Sequence, residues 1–387
     1  MKIAHVTPVF VPGMGYQENY LPWKQMELGH DVSIITSTAS RFQIYQNDKN
    51  IPDSGVYDKD GIKVHRLKTL AEFESIGRIV ISGLERKLRE VDPDIVHSHE
   101  FVNTSNIRSC FFAFHSDANL FIDVHIDNDN FHLDNMIKRL GFSGFKKMFL
   151  PNINKVTDNF LPVNPYAEWF LKQNTGIPTG KIERLPLGVD KNVFCPSAKE
   201  RRKKRRQLAI DRGQPLIVTA GNIDRTKDID ILLQAFADID RDNAHLIIVG
   251  DGPPKYMQSL RQIVNCLDIG GSVDFLDPVP HDELSQYYNA ADIGVWPGKF
   301  GITIIEAIAT GLPSVVSQNR ATDLVLQNDN GLSFQRGAAD ELRDLIERYL
   351  SNSTLRSIHS ENGIELVNDH LSWESIAEKS IQIYEQN

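Results

Sequence analysis

The chain contains few cysteines and no long apolar run. Cys110, Cys195 and Cys266 are the only cysteines among 387 residues, and they lie far apart in sequence. An odd and scattered set predicts no disulfide framework and fits a reducing compartment. No apolar stretch reaches the roughly 18 residues of a membrane-spanning helix, and the first residues are interrupted too soon for a signal peptide. We therefore expect a cytoplasmic protein.

The sequence also lacks the charge and the motifs of several ligand classes. Its formal net charge of −9 argues against nonspecific nucleic-acid binding, which requires a basic surface. No Gly-x-Gly-x-x-Gly stands at a strand–helix junction, which counts against an NAD site, and there is no Walker loop. Nucleic acid and NAD are therefore not the expected ligands.

Short apolar runs alternate with longer helical patterns, which is typical of βαβ units and parallel sheets. The length exceeds what one hydrophobic core usually serves, so two domains are expected. The spacing of Ile76, Val80, Leu84 and Leu88 predicts a helix over 75–90. The predicted strands are 2–6, 32–36, 95–97 and 120–125 in the first domain, and 215–220, 245–249, 273–276, 293–296, 313–317 and 332–334 in the second.

The composition changes over residues 185–214, which carry a proline–glycine segment and a dense basic run, so we place a hinge at the start of this stretch. The predicted fold class is α/β, with two Rossmann-like doubly wound domains that face each other across a cleft. Ligands of such domains bind at the carboxyl ends of the strands.

Residues 297–317 carry the clearest functional pattern, a strand end, a glycine turn, a short helix and a further strand. Gly301 permits a tight turn at positive φ, and the helix after it begins with N–H groups that attract phosphate. Glu306 follows about one turn into the helix, and Gly311 with Pro313 ends it. A carboxylate beside an anion-binding helix start suits a ligand with phosphates and vicinal hydroxyls, such as a sugar nucleotide.

The pattern Phe300-Gly301-x4-Glu306-Ala307-x3-Gly311-Leu312-Pro313 resembles the donor-binding signature of family 4 glycosyltransferases, retaining enzymes of the GT-B fold. Further resemblances follow in the family's order over about 380 residues, at 186–190, 220–236, 249–253, 287–293 and 372–377. They imply an acceptor-binding domain over 1–185, a nucleotide-sugar domain over 186–371, and a final helix near 372–387 that crosses back onto the first domain.

The resemblance implies a role for three catalytic residues. Glu306 would hold the ribose hydroxyls, Lys227 would neutralise the diphosphate, and His125 would contact the transferred sugar near its anomeric carbon. Without the resemblance, a satisfied core histidine is the better explanation of His125. The implied donor-binding residues are Gly13, Met14, Gly15, Asn222, Arg225, Gly250, Asp251, Gly252, Pro278, Lys299, Phe300, Gly301, Ile302 and Thr303.

Three polar residues are expected on the acceptor side. His97 and His99 end a predicted strand and either pack or contact the acceptor. Asp127 and Asp129 form an Asp-x-Asp pair, which would bind a metal in the other glycosyltransferase fold, or join His125 and His132 in a transition-metal site. Because the resemblance implies a metal-independent fold, we expect an acceptor-side loop, no metal and no cofactor.

Two positions depart from the family pattern. Gly298 stands where the family carries a second Glu that reads donor-sugar hydroxyls, and Asn222 replaces an Arg that contacts the diphosphate. Losing such a charge-assisted contact costs about 1.5–3 kcal/mol unless Arg225 or Lys299 replaces it. These departures keep a non-catalytic partner subunit open as an alternative, and a sugar-nucleotide epimerase is a second alternative because it shares the GT-B architecture.

Two basic segments are candidates for contact with an anionic membrane. Residues 199–206 hold seven cations in eight positions, a pattern that is also typical of a solvated helix face. Residues 142–150 mix phenylalanines with Lys146 and Lys147. The expected function is retaining transfer of a sugar from a nucleotide-diphosphate donor to a glycan, a lipid-linked acceptor or another hydroxyl, in polysaccharide or glycoconjugate synthesis. Such an enzyme would act in the cytoplasm or at the inner face of the membrane.

Overall fold

The structure is a computed structural model that describes residues 1–13, 17–39, 54–73, 78–126, 136–239, 244–327 and 329–386. Met14, Gly15 and Asp127 lie outside the described residues. The chain divides into two compact units, an N-terminal unit of Met1–Leu187 with Trp373–Asn387 and a C-terminal unit of Gly188–Ser372. Among the described residues, no helix combines the length and the apolar character needed to cross a bilayer.

The N-terminal unit is built on a seven-stranded sheet with the order β3-β4-β2-β1-β7-β8-β9. The strands are β1 (Lys2–Val6), β2 (Asp31–Ser37), β3 (Gly55–Lys59), β4 (Ile62–Leu67), β7 (Ile95–Ser98), β8 (Asn119–Val124) and β9 (Asn159–Pro162), with β5 (Thr69–Phe73) and β6 (Arg78–Ile81) paired as a separate antiparallel ribbon. Only β3 runs antiparallel to its neighbour in the main sheet. The central strands are buried along most of their length, as expected for parallel strands covered on both faces.

In the described part of residues 1–187, six α-helices accompany the strands. They are α1 (Leu21–Glu27), α2 (Leu84–Val91), α3 (Thr104–Ala113), α4 (Met136–Met148), α5 (Leu150–Val156) and α6 (Pro165–Asn174). Asn103 and Asn164 cap α3 and α6, where their side-chain oxygens accept from the amides of Ser105 and Ala167.

The C-terminal unit holds a six-stranded parallel sheet with the order β12-β11-β10-β13-β14-β15. Its strands are β10 (Leu216–Ala220), β11 (His245–Val249), β12 (Val273–Leu276), β13 (Ile293–Trp296), β14 (Ser314–Ser317) and β15 (Gly331–Phe334). The strand order reverses between β10 and β13, and this point of reversal forms a crevice at the carboxyl ends of the two strands.

The remaining helices surround this sheet, except the last. They are α7 (Ala198–Gln207), α8 (Ile229–Ala237), α9 (Pro254–Cys266), α10 (Leu284–Ala290), α11 (Ile302–Ala309), α12 (Thr322–Val325), α13 (Ala339–Ser351), α14 (Ser353–Leu366) and α15 (Trp373–Glu385). Helix α15 belongs to the N-terminal unit and packs on α1, where Trp373 stacks on Tyr20 with ring centroids 5.3 Å apart.

The helix predicted over 75–90 is wrong in its first half. Arg78–Ile81 forms strand β6, and the helix begins only at Leu84. Ile79 and Ile81 are both buried, so the apolar residues here alternate with period two, and their branched side chains favour a strand. Gly83 then takes φ +70°, a left-handed conformation that separates strand from helix.

The basic run of 199–206 lies in α7 and is only partly a solvated face. Arg201 and Arg205 both bind the Asp292 carboxylate, and both donate to the carbonyl of Ala290 at the end of α10. The Lys204 ammonium lies 4.1 Å from the centre of the Tyr287 ring. The four exposed cations, Lys199, Arg202, Lys203 and Arg206, follow helical spacing along the opposite side. Three of the seven cations in the run, Arg201, Lys204 and Arg205, are therefore structural.

Replacing Arg205 with alanine is expected to destabilise the protein by about 3 kcal/mol, because the carbonyls of Asp211 and Gln214 lose the donor that the buried guanidinium supplies, and the half-buried Asp292 carboxylate loses one of its two arginines. Urea denaturation followed by circular dichroism measures this. Arg206→Ala on the same helix is the control, since Arg206 is exposed, and it is expected to change stability by less than about 0.5 kcal/mol. Equal effects of the two variants would contradict the structural role of Arg205.

Candidate active site

A pocket lies at the carboxyl ends of β10 and β13, where the strand order reverses. Its lining includes Asn222, Lys227, Trp296, Gly298 and Lys299. Trp296 is buried, and its indole N–H donates to the carbonyl of Ala220 at 3.2 Å, which ties the end of β13 to the end of β10. The sheet therefore brings together residues that are about 75 positions apart in sequence.

Lys227 is the central cation of this pocket. Its ammonium donates to the carbonyls of Lys299 at 3.1 Å and of Phe300 at 3.5 Å. Burial lowers the pKa of Lys227, since water is partly removed from its charged form. Among the described residues no carboxylate forms an ion pair with Lys227, so its charge is available to an anion.

The loop after β10 is shaped by Asp224 rather than by a cation at position 222. The Asn222 side chain donates to Asp224 at 2.7 Å, and Asp224 also accepts from the amide of Thr226 at 2.8 Å. The Arg225 guanidinium lies over the Tyr256 ring at 5.3 Å from its centre. Of the two residues expected to replace the missing arginine, Lys299 lines the pocket and Arg225 stacks on α9.

The glycines after β11 allow two loops to touch through their main chains. A Cβ on Gly250 would lie 2.0 Å from the carbonyl oxygen of Gly221, and one on Gly252 would lie 1.6 Å from that of Ile223. The carbonyl of Asp251 accepts from the amide of Ile223 at 2.8 Å. These three residues, predicted to bind the donor, support the loop that carries Asn222. Pro278, also predicted to bind the donor, is exposed after β12, at the edge of the sheet.

Gly298 is required by close main-chain contact. A Cβ at this position would lie 2.3 Å from the carbonyl oxygen of Thr226 and 2.4 Å from the carbonyl carbon of Lys227. No real side chain tolerates such distances without a shift of backbone. The departure from the family pattern at Gly298 is therefore tied to the tight approach of the two loops that hold Lys227.

The turn before α11 differs from the predicted one. Gly301 has φ −150° and ψ 158°, so the expectation of a positive φ is wrong and the backbone is extended there. A Cβ on Gly301 would lie 3.4 Å from the Lys227 ammonium, so a side chain at this position would occupy the space beside the cation that glycine leaves free. Gly301 offers no side-chain cap to α11, which leaves the first-turn amides of Ile302 and Thr303 without one. Thr303 lies across from Gly221.

Glu306 lies one turn into α11 and is only 2 % exposed. Its Oε1 pairs with Nε2 of His281 at 2.7 Å, whereas its Oε2 is buried and has no hydrogen-bond partner in the part of the chain that the structure describes. The hydrogen bond to Glu306 raises the pKa of His281, against the opposing effect of burial. The Phe194 ring meets the imidazole edge-on at 5.1 Å. One carboxylate oxygen is thus held by His281, and the other is left to accept from a ligand.

In the N-terminal unit, His125 follows β8 and its side chain is 40 % exposed. Its Nε2 lies 3.6 Å from Oδ1 of the buried Asp123. Burial disfavours the charged imidazole, but the Asp123 carboxylate outweighs it, so the pKa of His125 is raised. His125 is therefore a partly exposed imidazole that lies directly beside the fully buried carboxylate of Asp123.

His97 and His99, predicted on the acceptor side, lie inside the unit. Both are almost fully buried, and Nδ1 of His99 lies 2.5 Å from the Asp123 carboxylate. His97 hydrogen-bonds the Tyr384 hydroxyl of α15, and His5 of β1 hydrogen-bonds His99 at 3.0 Å. His97, His99 and Asp123 are close enough to share a metal ion, but the direct 2.5 Å contact favours a hydrogen-bonded cluster.

The loop after β1 is held by a buried arginine. Arg66 is 1 % exposed and donates to the carbonyls of Phe10 and Ser37, each at 2.9 Å, and to the Tyr57 hydroxyl. Gly13 follows at φ +83°, and its amide donates to the Asn19 side chain at 3.0 Å. The start of the predicted glycine loop is thus fixed from within the unit.

Sequence reasoning missed His281, His5, Asp123 and Tyr384. His281 stands alone in sequence, 25 residues before its partner, and no spacing connects the two. The buried cluster joins residues from β1, β7, β8 and α15, which only the parallel sheet brings together. The one available signal was the alternation of His97 and His99, which places both on one face of a strand.

Comparison with known proteins gives matches over both units. Glycosyltransferase Family 4 matches residues 23–193, and Glycosyl transferases group 1 matches residues 200–366. This chain belongs to glycosyltransferase family 4, group 1. The Phe300–Pro313 segment, Lys227 and Glu306 all lie within the group 1 match.

Two curated relatives illustrate the family's range. A GDP-mannose-dependent alpha-(1-6)-phosphatidylinositol monomannoside mannosyltransferase of Mycobacterium tuberculosis is 28 % identical over 215 residues, which is 52 % of this chain and 55 % of the relative. Alpha-monoglucosyldiacylglycerol synthase of Acholeplasma laidlawii is 23 % identical, over 80 % of this chain and 78 % of the relative. The match to the mannosyltransferase thus spans about half of each protein.

Solved structures share the fold of this family 4 member. Sucrose-phosphate synthase from Thermosynechococcus elongatus aligns with a TM-score of 0.72 at 21 % identity, covering 100 % of this chain and 98 % of the other. HepE from Anabaena, solved in complex with UDP, aligns with a TM-score of 0.74 at 17 % identity and covers 100 % of both. The fold is therefore α/β with two Rossmann-like domains of the GT-B class, as predicted.

The pair of His281 and Glu306 is expected to make stability depend on pH. Because the pKa of His281 is raised in the folded protein, the pair contributes fully below the ordinary histidine pKa of about 6.5, and its contribution is lost as pH rises through the raised value. His281→Gln keeps a neutral hydrogen bond to Glu306. The difference in Tm between wild type and this variant should be largest near pH 6 and shrink towards about pH 9. A difference independent of pH would contradict a charged His281.

Proposed function

We propose that this family 4 glycosyltransferase transfers a sugar from a nucleotide-diphosphate donor to a hydroxyl acceptor with retention of anomeric configuration. The observation that carries the proposal is that, among the described residues, the buried Oε2 of Glu306 has no hydrogen-bond partner and the Lys227 ammonium at the same sheet edge has no carboxylate in ion-pair contact. A buried carboxylate oxygen without a donor is costly unless a ligand supplies one.

The C-terminal unit is the proposed donor domain. The Lys227 ammonium and the uncapped amides of Ile302 and Thr303 would hold the diphosphate, since anions bind at helix starts and beside desolvated cations. Glu306 would accept from the ribose hydroxyls through Oε2 while His281 holds Oε1. Lys299 would take the place of the family's missing arginine.

The N-terminal unit is the proposed acceptor domain. His125, charged through Asp123 and partly exposed, would hydrogen-bond the transferred sugar near its anomeric carbon. Gly13 begins the loop that would approach the diphosphate.

The proposed reaction proceeds on one face of the sugar. The bond from the anomeric carbon to the departing phosphate oxygen breaks, and a bond to the acceptor oxygen forms on the same face. The acceptor proton passes to the phosphate oxygen that leaves, so no side-chain nucleophile is needed. Lys227 stabilises the charge on the leaving diphosphate, the task that electrostatic preorganisation serves in general. We propose no metal and no cofactor for this step.

The names of the relatives point to the class of acceptor. One acts on a phosphatidylinositol mannoside, and the second is a synthase of a glucosyl diacylglycerol. We therefore propose a lipid-linked or glycan acceptor, in cell-surface polysaccharide or glycoconjugate synthesis. The protein would act in the cytoplasm, in peripheral contact with an anionic membrane.

Glu306→Gln is expected to weaken binding of a nucleotide sugar by about ten- to hundredfold, and Lys227→Ala is expected to lower turnover by at least as much, because each removes a charge-assisted contact. Thermal shifts over a panel that includes UDP-glucose and GDP-mannose identify the donor, and calorimetry and initial rates with that donor measure the changes.

Lys199→Ala is the matched control, since this exposed lysine lies on α7 outside the pocket. Wild-type kinetics for both site variants would refute the assigned roles. Donor binding without an acceptor product, but with an isomerised sugar nucleotide, would instead identify an epimerase. The lack of any thermal shift across the panel would favour a non-catalytic subunit.

Retention is tested by the product. From an α-linked donor, the new glycosidic bond is expected to be α, and the anomeric coupling constant in a proton NMR spectrum of the product reports this directly. A β product, or a covalent glycosyl–enzyme adduct trapped with a slow donor, would overturn the one-face mechanism.

A further inference from the structure

The N-terminal unit exposes large apolar side chains on α3 and α4, two helices that both pack against α5. Phe111 and Phe114, at the end of α3, are 55 % and 59 % exposed, and Leu140 and Met148 of α4 are more than 60 % exposed. Phe149 follows them at the start of α5 and is 37 % exposed. Exposed aromatic residues grouped in this way mark an interaction surface more often than isolated ones do.

The same helices keep other aromatic residues inside. Phe142 and Phe145, which the sequence placed with the exposed group, are buried. Phe145 meets Phe101 edge-on at 5.8 Å, and Phe142 lies 5.6 Å from Phe170. Helix α4 is therefore packed on the unit through Phe142 and Phe145, and its exposed apolar residues lie on a helix that is held in place.

Helix α5 connects the two exposed groups. It packs against both α3 and α4, and the Lys155 ammonium on α5 lies 5.7 Å from the centre of the Phe114 ring. The exposed aromatic residues at the end of α3 thus adjoin a basic side chain of α5, Lys155.

The charge of these helices is opposite to that of the chain. Residues 136–156 contain five cations, namely Lys138, Arg139, Lys146, Lys147 and Lys155, and no Asp or Glu, although the whole chain has a net charge of −9. Arg139, Lys146, Lys147 and Lys155 are exposed. Because these cations lie on the same helices as the exposed apolar side chains, the surface is complementary in charge to anionic lipid headgroups.

We propose that this surface, the aromatic–basic face, docks on the anionic headgroups of a lipid bilayer. It comprises Phe111, Phe114, Leu140, Met148 and Phe149 with Arg139, Lys146, Lys147 and Lys155. The rings enter the interface, and the lysines remain at headgroup level while their stems cover apolar surface. The proposal locates the membrane contact of the proposed function on α3, α4 and α5.

The exposed cations of α7 offer an internal comparison. Lys199, Arg202, Lys203 and Arg206 form an equally basic stripe on the C-terminal unit. Among the described residues of that unit, the one large apolar side chain classed as exposed is Ile358, which lies on α14. The stripe thus has the charge of a membrane-binding surface without its aromatic residues, and we expect it to contribute little.

The test is co-sedimentation of the full chain with vesicles of phosphatidylcholine containing about 30 mol% phosphatidylglycerol, and with phosphatidylcholine alone. Wild type is expected to bind the anionic vesicles selectively. The double variants Phe111→Ser/Phe114→Ser and Lys146→Glu/Lys147→Glu should each lower the partition coefficient by about tenfold or more. The charge-matched control Lys199→Glu/Lys203→Glu should change it by less than about threefold, since only charge far from the rings is lost.

Circular dichroism and Tm establish that every variant is folded, because all the substituted residues are exposed. Loss of binding in the α7 control as large as in the face variants, or no preference for anionic vesicles, would overturn the proposal. Unchanged binding in the phenylalanine variant would also overturn it. Donor binding by wild type is measured separately, so vesicle binding without donor binding would leave the face intact and reject the proposed transfer.

Discussion

The ammonium of Lys227, held between two strand ends, is the interaction on which the candidate site depends. Its two acceptors are main-chain carbonyls of residues 299 and 300, so it joins the loop after β10 to the loop after β13 without losing its charge to a carboxylate. That geometry is possible because the same loops approach closely at Gly298. Burial strengthens each electrostatic interaction that Lys227 makes, because less water is present to screen its charge.

A second feature is that the two units arrange their charges differently. Among the described residues of the C-terminal unit, the Lys227 ammonium has no carboxylate in ion-pair contact and Oε2 of Glu306 has no hydrogen-bond partner, and together these two groups complement a phosphorylated ribose. The N-terminal unit instead holds a carboxylate, Asp123, surrounded by histidines from three strands. Burial alone would raise the pKa of Asp123, but His99 and His125 lower it well below its usual range. The Asp123 carboxylate in turn raises the pKa of the partly exposed His125 and so favours its charged form.

Much of the fold could be predicted from the sequence, because buried parallel strands are short continuous apolar runs. β1, β11, β12 and β13 have the predicted bounds, and the other predicted strands differ by one or two residues. The helix prediction for 75–90 was wrong in its first half because residues spaced four apart lie on one side of a helix and also on one face of a strand. The pairing of β6 with β5 selects the strand for Arg78–Ile81. In the site, motif residues such as Lys227 and Glu306 were found by resemblance. His281 and Asp123 were not, since each acts through a partner that only the tertiary structure brings near.

The close contact at Gly298 has a consequence for which substitutions this loop can accept. Any other residue at position 298 requires the Thr226–Lys227 peptide to move, because its first side-chain carbon alone would overlap that peptide. Since the same peptide carries Lys227, a side chain at position 298 and the present position of the lysine exclude each other. The identity of one residue and the placement of the other are therefore coupled, and neither can be altered alone.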